Sequence, residues 1–317
     1  MQFVDHVRVG AGYLFWRFLN PADSFNAAYL AGAALFALAV FLWRRRARRT
    51  VRLRALLASA RRALGHRSSL LDYKLYLVNG LLAVTGYGVA ELSSEAWKAG
   101  VLKAGAALLG PAGWIALPRL EVAALATLAQ VLVLDLAYWA THWVFHNVRF
   151  CWELHKVHHS AEVMTPFTEW RQHPIEFIAF ANALTFSTGI TYGVMAYLFG
   201  PGAQPFTLLQ LNVVLCVHLF TIHHLRHSGA WIAACGWLGR LVHSPAHHQI
   251  HHSDDPAHFG KNLGYALSVW DWAFGTLHMP DRRGRVRLGL GEDVSHRAMA
   301  RDTLWRPLVK GLAPRRA

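Results

Sequence analysis

Residues 25–43, FNAAYLAGAALFALAVFLW, run for nineteen positions without a charge and stop against RRRARR at 44–49. A helix of about 20 apolar residues crosses about 30 Å of hydrocarbon with every backbone polar group paired inside it, and a bilayer is the solvent such a run suits. Comparable runs recur near 74–92, at about 120–141, within 176–198 and near 206–222. Only 16% of residues are charged and 54% are hydrophobic, against about 25% charged in soluble domains. The expected fold class is therefore all-α: a polytopic membrane helical bundle of four core spans plus an N-terminal span. The stretch 101–118 holds Gly110-Pro111, a helix breaker, and reads as a re-entrant or interfacial hairpin rather than a straight span.

With five spans and that hairpin, residues 44–74, 142–175 and 223–317 share one side and carry 27 of the 32 Lys and Arg. The positive-inside rule makes that side the cytoplasm, and the expected location is a bacterial inner (plasma) membrane. The segment 44–67 holds ten arginines among aliphatic residues. It reads either as an amphipathic helix on anionic headgroups or as a solvated charge run that sets orientation. Despite a net charge of +14, no basic groove interleaved with aromatics appears, so nucleic acid is not an expected partner. Cys151, Cys216 and Cys235 lack CxxC spacing and suggest neither disulfides nor a thiolate site. The N-terminus lacks the pattern of a cleaved signal peptide.

The polar exception to this apolar chain is histidine: 16 of the 20 lie between His142 and His258. HWVFH places His142 and His146 four apart, on one face of a helix. HKVHH supplies His155, His158 and His159, and HQIHH repeats the pattern with His248, His251 and His252. In each triplet the first and third share a stripe and the second lies beside it, so one helix can serve two adjacent metals. HHLRH adds His223 and His227, again four apart. All four clusters fall on the same predicted side, giving ten imidazoles at one level. Unpaired in a low-dielectric site they would be costly. Imidazole suits iron, zinc and copper, and two five- or six-coordinate metals use about this many ligands. Ferritin-like carboxylate motifs are absent.

These residues resemble the fatty acid hydroxylase/sterol desaturase superfamily of integral-membrane histidine-box enzymes. The order matches across roughly 68–280: Asp135 ahead of HWVFH, then HKVHH, RQHP at 171–174, the histidine after a fourth hydrophobic block, SPAHHQIHH, and NLGYALSVWDWAFGT at 262–276. The resemblance implies core membrane helices capped by a cytosolic helical di-metal domain. It also implies two non-haem irons, O2 as co-substrate and attack on an unactivated C–H bond of a lipid. Gly229 stands where bacterial relatives often continue HSH, so His223 is a less secure ligand than His227, while His224, His243 and His247 are additional. His6, His66, His218, His278 and His296 lack partners at ligand spacing. Ligating imidazoles usually donate their second N–H to a carboxylate or carbonyl; Asp135, His173, His247 and Asp271 are the expected orienting residues, with Glu153, Glu169, Glu176 and Asp254 as further candidates. Trp139, Trp143, Trp152, Trp270 and Trp272 suit an interfacial belt.

The expected domains are 1–67 (membrane helix and basic segment), 68–280 (histidine boxes) and 281–317 (basic tail). The expected activity is O2-dependent hydroxylation of a membrane lipid. The chain has no GxGxxG, too few cysteines for an iron–sulfur cluster and no obvious haem domain. Electrons must then come from NAD(P)H through a separate donor, a ferredoxin or cytochrome with its reductase, steered by the basic face. Three alternatives stay open: a lipid desaturase of the same superfamily, a zinc-dependent membrane hydrolase, and a non-catalytic metal carrier. Zinc hydrolases typically use three protein ligands, and a carrier is expected to place histidines along its spans.

Overall fold

The computed structural model describes residues 15–21, 23–46, 53–82, 92–291 and 303–312, with Gly12. In chain order it contains α1 (Ala27–Arg46), α2 (Leu53–Leu64), α3 (Ser69–Leu82), α4 (Ser94–Leu109), α5 (Arg119–Asn147) and α6 (Arg149–His159). A 3₁₀ turn (Pro166–Trp170) precedes α7 (Pro174–Phe199). A small antiparallel hairpin, β1 (Thr207–Leu208) with β2 (Leu211–Asn212), leads into α8 (Val213–His218), a π turn (Leu219–His223) and α9 (His224–Arg226). The remaining helices are α10 (Trp237–Leu241), α11 (Pro245–His251), α12 (Val269–Ala273) and α13 (Trp305–Leu312). The chain is an all-α membrane bundle with a histidine-bearing cap at one end.

Three described helices, α1, α5 and α7, are long and apolar enough to cross a bilayer. Their outward faces are apolar: Leu35, Leu120, Leu128 and Phe186 are all exposed, as suits contact with lipid rather than water. At 1.5 Å per residue, the 29 residues of α5 span about 44 Å. That exceeds the hydrocarbon core by two to three turns, so the C-terminal end bearing His142 and His146 can emerge from it. Helix α7 packs against α4 and α5, and small residues make the approach close. A Cβ on Gly189 would lie 2.4 Å from the Ser94 carbonyl, and one on Gly193 would lie 2.6 Å from Val101 Cβ; such small-residue contacts let backbones meet in lipid.

Two expected membrane segments differ from the structure. The segment near 206–222 is not one helix. Asn212 anchors its start inside the bundle through the Thr127 carbonyl (3.0 Å) and Gln130 Oε1 (2.9 Å), after a tight turn with Leu209 and Gln210 at positive φ (52° and 66°). The helical part that follows begins only at Val213 and bends through the π turn. In 101–118 the backbone does break at Gly110 (φ 90°), but the arms of the hairpin are the helices α4 and α5. The connection folds back over the end of α7 through Gly113 N–H to the Tyr197 carbonyl (2.7 Å) and Ile115 N–H to the Leu198 carbonyl (3.0 Å). The expected span at 74–92 begins in α3, and its second half, with His6 and His296, lies outside the described residues.

At the opposite end, Val148 ends α5 and α6 restarts at once. Helices α6 and α11, the turn after α9 and the loops 252–268 and 274–291 build the cap, and α13 packs on α6. Residues 68–72 close against 157–171 there, so the first basic segment leads into the same end as the histidines.

Candidate metal centre

The cap brings nine of the ten expected histidines into two groups. His142, His146, His155, His159 and His251 form one; His158, His227, His248 and His252 form the other. The distribution follows helical spacing. In α6, His155 and His159 face the first group and His158 the second; α11 and its C-cap reverse this, with His251 in the first and His248 and His252 in the second. The groups adjoin: the His159 and His252 rings stack with centroids 4.5 Å apart.

Within the first group, Nε2 of His142 lies 3.0 Å from Nε2 of His155, which lies 3.1 Å from Nε2 of His159. In the second, His248 and His227 Nε2 atoms are 2.9 Å apart, His252 and His248 3.2 Å, and His227 and His158 3.3 Å. The tautomers are fixed from outside. His142 Nδ1 meets the Leu263 carbonyl and His251 Nδ1 the Lys261 carbonyl, both at 2.8 Å. His155 Nδ1 meets Glu176 Oε1 at 2.7 Å. A carbonyl only accepts, so Nδ1 of His142 and His251 carries the proton and Nε2 presents a bare lone pair to the interior of the group. Burial first, and neighbouring imidazoles second, hold His155, His159, His248 and His252 well below the ordinary imidazole range. Neutral imidazoles with converging lone pairs are the form that ligates metal. Two nitrogens about 2.1 Å from one ion at a right angle would be about 3.0 Å apart, so the donor set fits metal.

The loop carrying Leu263 is itself held by the two buried aspartates. Asp135 Oδ1 accepts from Ala266 N–H (2.6 Å) and Leu267 N–H (3.0 Å). Asp271 accepts from Leu263 N–H (2.8 Å), Gly264 N–H (2.9 Å), Thr276 Oγ1 (2.6 Å) and Trp139 Nε1 (3.2 Å). Burial pushes the Asp271 carboxyl up, but His243 beside it, and after it the Thr276 hydroxyl and the Leu263 N–H, outweigh burial and hold it below the ordinary carboxylate range. Each aspartate thus acts on the histidines through the backbone of residues 263–267. Sequence spacing gave no sign of the Leu263 and Lys261 carbonyls. Nor did it reveal Arg171, which binds the carbonyls of Val157 and Ser160 at the end of α6 (both 3.0 Å).

Residues 127–276 match the family model described as fatty acid hydroxylase. The match covers 150 of the 317 residues, just under half of the chain. Curated relatives of the chain include the alkylglycerol monooxygenase of Danio rerio, 30% identical over 142 residues that cover 45% of this chain and 28% of the relative. The Delta(7)-sterol 5(6)-desaturase ERG3B of Gibberella zeae is 28% identical over 147 residues, 46% of this chain and 41% of that protein. The alkylglycerol monooxygenase of Homo sapiens is 27% identical over 151 residues, 47% and 30% respectively. The chain spans less than half the length of each of these relatives. No solved structure matches it at a significant level.

Within the matched segment the remaining sequence candidates lie as follows. His223 is in neither of the two histidine groups; its Nε2 lies 2.8 Å from Glu169 Oε2 and it groups with Glu169 and His224. A spacing of four puts two side chains on one face only within a continuous α-helix, whereas here His223 closes the π turn and the α-helical part ends at Arg226, with His227 out of helical geometry. His173 caps α7, accepting from Ile175 N–H on Nδ1 (3.2 Å) and donating Nε2–H to the Leu304 carbonyl (3.0 Å). His247 folds back on Ser244, the N-cap of α11, with Nδ1 2.7 Å from its hydroxyl. Glu153 pairs with Lys156, and Asp254 with Arg287 at 2.5 Å.

Proposed function

We propose that this chain is a membrane oxidoreductase that hydroxylates a C–H bond of a lipid with O2, its nine clustered histidines holding two iron ions. The observation that carries this is the set of imidazole Nε2 atoms that converge to about 3 Å of one another in two adjoining buried groups. Facing neutral imidazoles share at most one hydrogen bond per pair and leave buried nitrogens unsatisfied, a cost that cations remove. When bound, paired irons supply the activation of O2 that C–H attack requires.

The protein's own groups supply positioning and exclusion of water. The carbonyls of Leu263 and Lys261 and the Glu176 carboxylate aim three imidazoles. Toward the membrane, Tyr138 and Phe180 lie against the His142 ring at 5.5 and 6.0 Å, forming an aromatic layer between the histidines and the spans. An alkyl chain reaching the site from the bilayer would meet this layer, which keeps the site dry. One oxygen atom goes to the lipid and the other leaves as water, so two electrons and two protons must come from outside. The exposed arginines Arg282, Arg283, Arg285 and Arg287 suit an acidic carrier such as a ferredoxin, or a cytochrome with its reductase, supplied by NAD(P)H. The concentration of Lys and Arg in the segments that the hydropathy pattern assigns to one side, 27 of 32, supports a cytoplasmic orientation in a plasma membrane.

The test combines the full chain in detergent with a ferredoxin, its reductase, NADPH and a lipid extract. At least two irons per chain, O2 uptake and lipid gaining one oxygen are expected, all lost in His158→Ala. Lipid losing two hydrogens instead would identify a desaturase. Zinc alone with lipid hydrolysis, or equal O2 uptake by His158→Ala, would overturn the proposal.

A further inference from the structure

Three metal-ligating side chains converge outside the two histidine groups. Glu169 from the 3₁₀ turn, His223 from the π turn and His224 from α9 place ligand atoms within 4.8 Å of one another. His223 Nε2 and Glu169 Oε2 are 2.8 Å apart, yet neither atom has a hydrogen-bond partner. They are close without being aligned on each other, as two ligands directed at a common point are.

His224 gives the second, independent observation. Its Nε2 meets the Ser24 carbonyl at 2.8 Å, and a carbonyl only accepts, so the proton sits on Nε2 and Nδ1 is bare. That Nδ1 is buried and unpartnered, and His224 is only 2% exposed. His223 is braced from behind by the Tyr265 hydroxyl, 3.1 Å from Nδ1. Imidazoles held this way from their far nitrogen are typical of metal ligands. Each unpartnered atom is costly when buried, and one shared cation satisfies all three. Two imidazoles and one carboxylate are a donor set that binds zinc or ferrous iron with a position left open.

We propose that Glu169, His223 and His224 form a third, mononuclear site for a divalent transition-metal ion, apart from the nine-histidine centre. Glu169 is 19% exposed, which gives the ion a way in. The ion ties together three segments distant in sequence: Ser24 just before α1, the turn before α7, and the bend from α8 into α9. It thereby fixes the N-terminal helix to the cap.

The probe is Zn2+ alone, added to the full chain in detergent after stripping with a chelator and counted by mass spectrometry. Co2+ loading, followed by visible absorption, gives a second readout that needs no activity. Three ions per chain are expected in the natural protein and two in Glu169→Ala and in His224→Ala, with a matching loss of part of the Co2+ spectrum. Glu169→Gln and His224→Gln are the milder variants should the alanines fail to fold, and the same loss of one ion is expected. Two ions in the natural protein, or three in these variants, would overturn the third site. His159→Ala and His252→Ala separate this from the nine-histidine reading. They should lower the count while leaving the loss caused by His224→Gln intact, and an unchanged count in them would sink that reading alone.

Discussion

Replacing Arg171 by Met tests whether the histidine helix is held from outside by one buried guanidinium. Arg171 is fully buried, and its guanidinium meets Asp72 Oδ1 (2.9 Å), the Ser68 carbonyl (2.9 Å) and the Ser160 carbonyl (3.0 Å), with Nε on the Val157 carbonyl (3.0 Å). Val157 and Ser160 bracket His158 and His159, which fall in different histidine groups. The variant leaves Asp72 with two threonine hydroxyls, Thr165 (3.2 Å) and Thr168 (2.8 Å), and no counter-charge. Removing one partner of a buried ion pair costs about 3–5 kcal/mol, or about a thousandfold in the unfolding equilibrium at the middle of that range. That is a large part of the about 5–15 kcal/mol typical of a folded protein.

The double variant Arg171→Met/Asp72→Leu removes both charges, and replacing a buried pair by apolar groups is often close to neutral. Its cost should fall short of the sum of the single variants by about 2–3 kcal/mol, though the carbonyls of Ser68, Val157 and Ser160 still lose their donor. Reversible unfolding in mixed detergent micelles measures these differences, and iron content taken in parallel should fall in both groups with Arg171→Met. A single variant within about 1 kcal/mol of the natural protein, or strictly additive singles, would refute the clamp, because uncoupled partners show no interaction energy.

Asp271→Asn turns a carboxylate oxygen into a donor facing the N–H of Leu263 or Gly264; metal affinity should drop about 10–100-fold, read by competition with a calibrated chelator. The first group has imidazoles braced by Leu263, Lys261 and Glu176, whereas Nδ1 of His248 and of His252 has no partner among the described residues. Chelation should therefore empty the second group first, and a single-phase loss of both ions would contradict this. His173→Ala removes the α7 cap and should cost about 1 kcal/mol in thermal unfolding with metal content unchanged; lost metal would show that His173 also orients the site.

The parts of this molecule legible in its sequence are those set by local periodicity. Hydropathy over about twenty residues marks α1, α5 and α7, because a lipid-facing helix must be apolar on its own account. The i, i+3, i+4 pattern likewise places His155 and His159 on one side of α6 and His158 on the other. His223 shows where that logic stops. A single π turn rotates everything after it by about 100°, and nothing in LFTIHHLRH announces it. The hairpin at 207–212 is equally silent, since Leu209 and Gln210 are not residues that favour positive φ. The supports of the site were out of reach for another reason: Asp135 holds backbone N–H groups 131 and 132 positions away. Backbone groups have no residue identity to read, so a carbonyl such as that of Leu263 can orient a ligand while leaving no trace in the side chain above it. Sequence therefore points to candidate ligands more readily than to the groups that hold them, because side-chain spacing is local and the supporting backbone contacts are not.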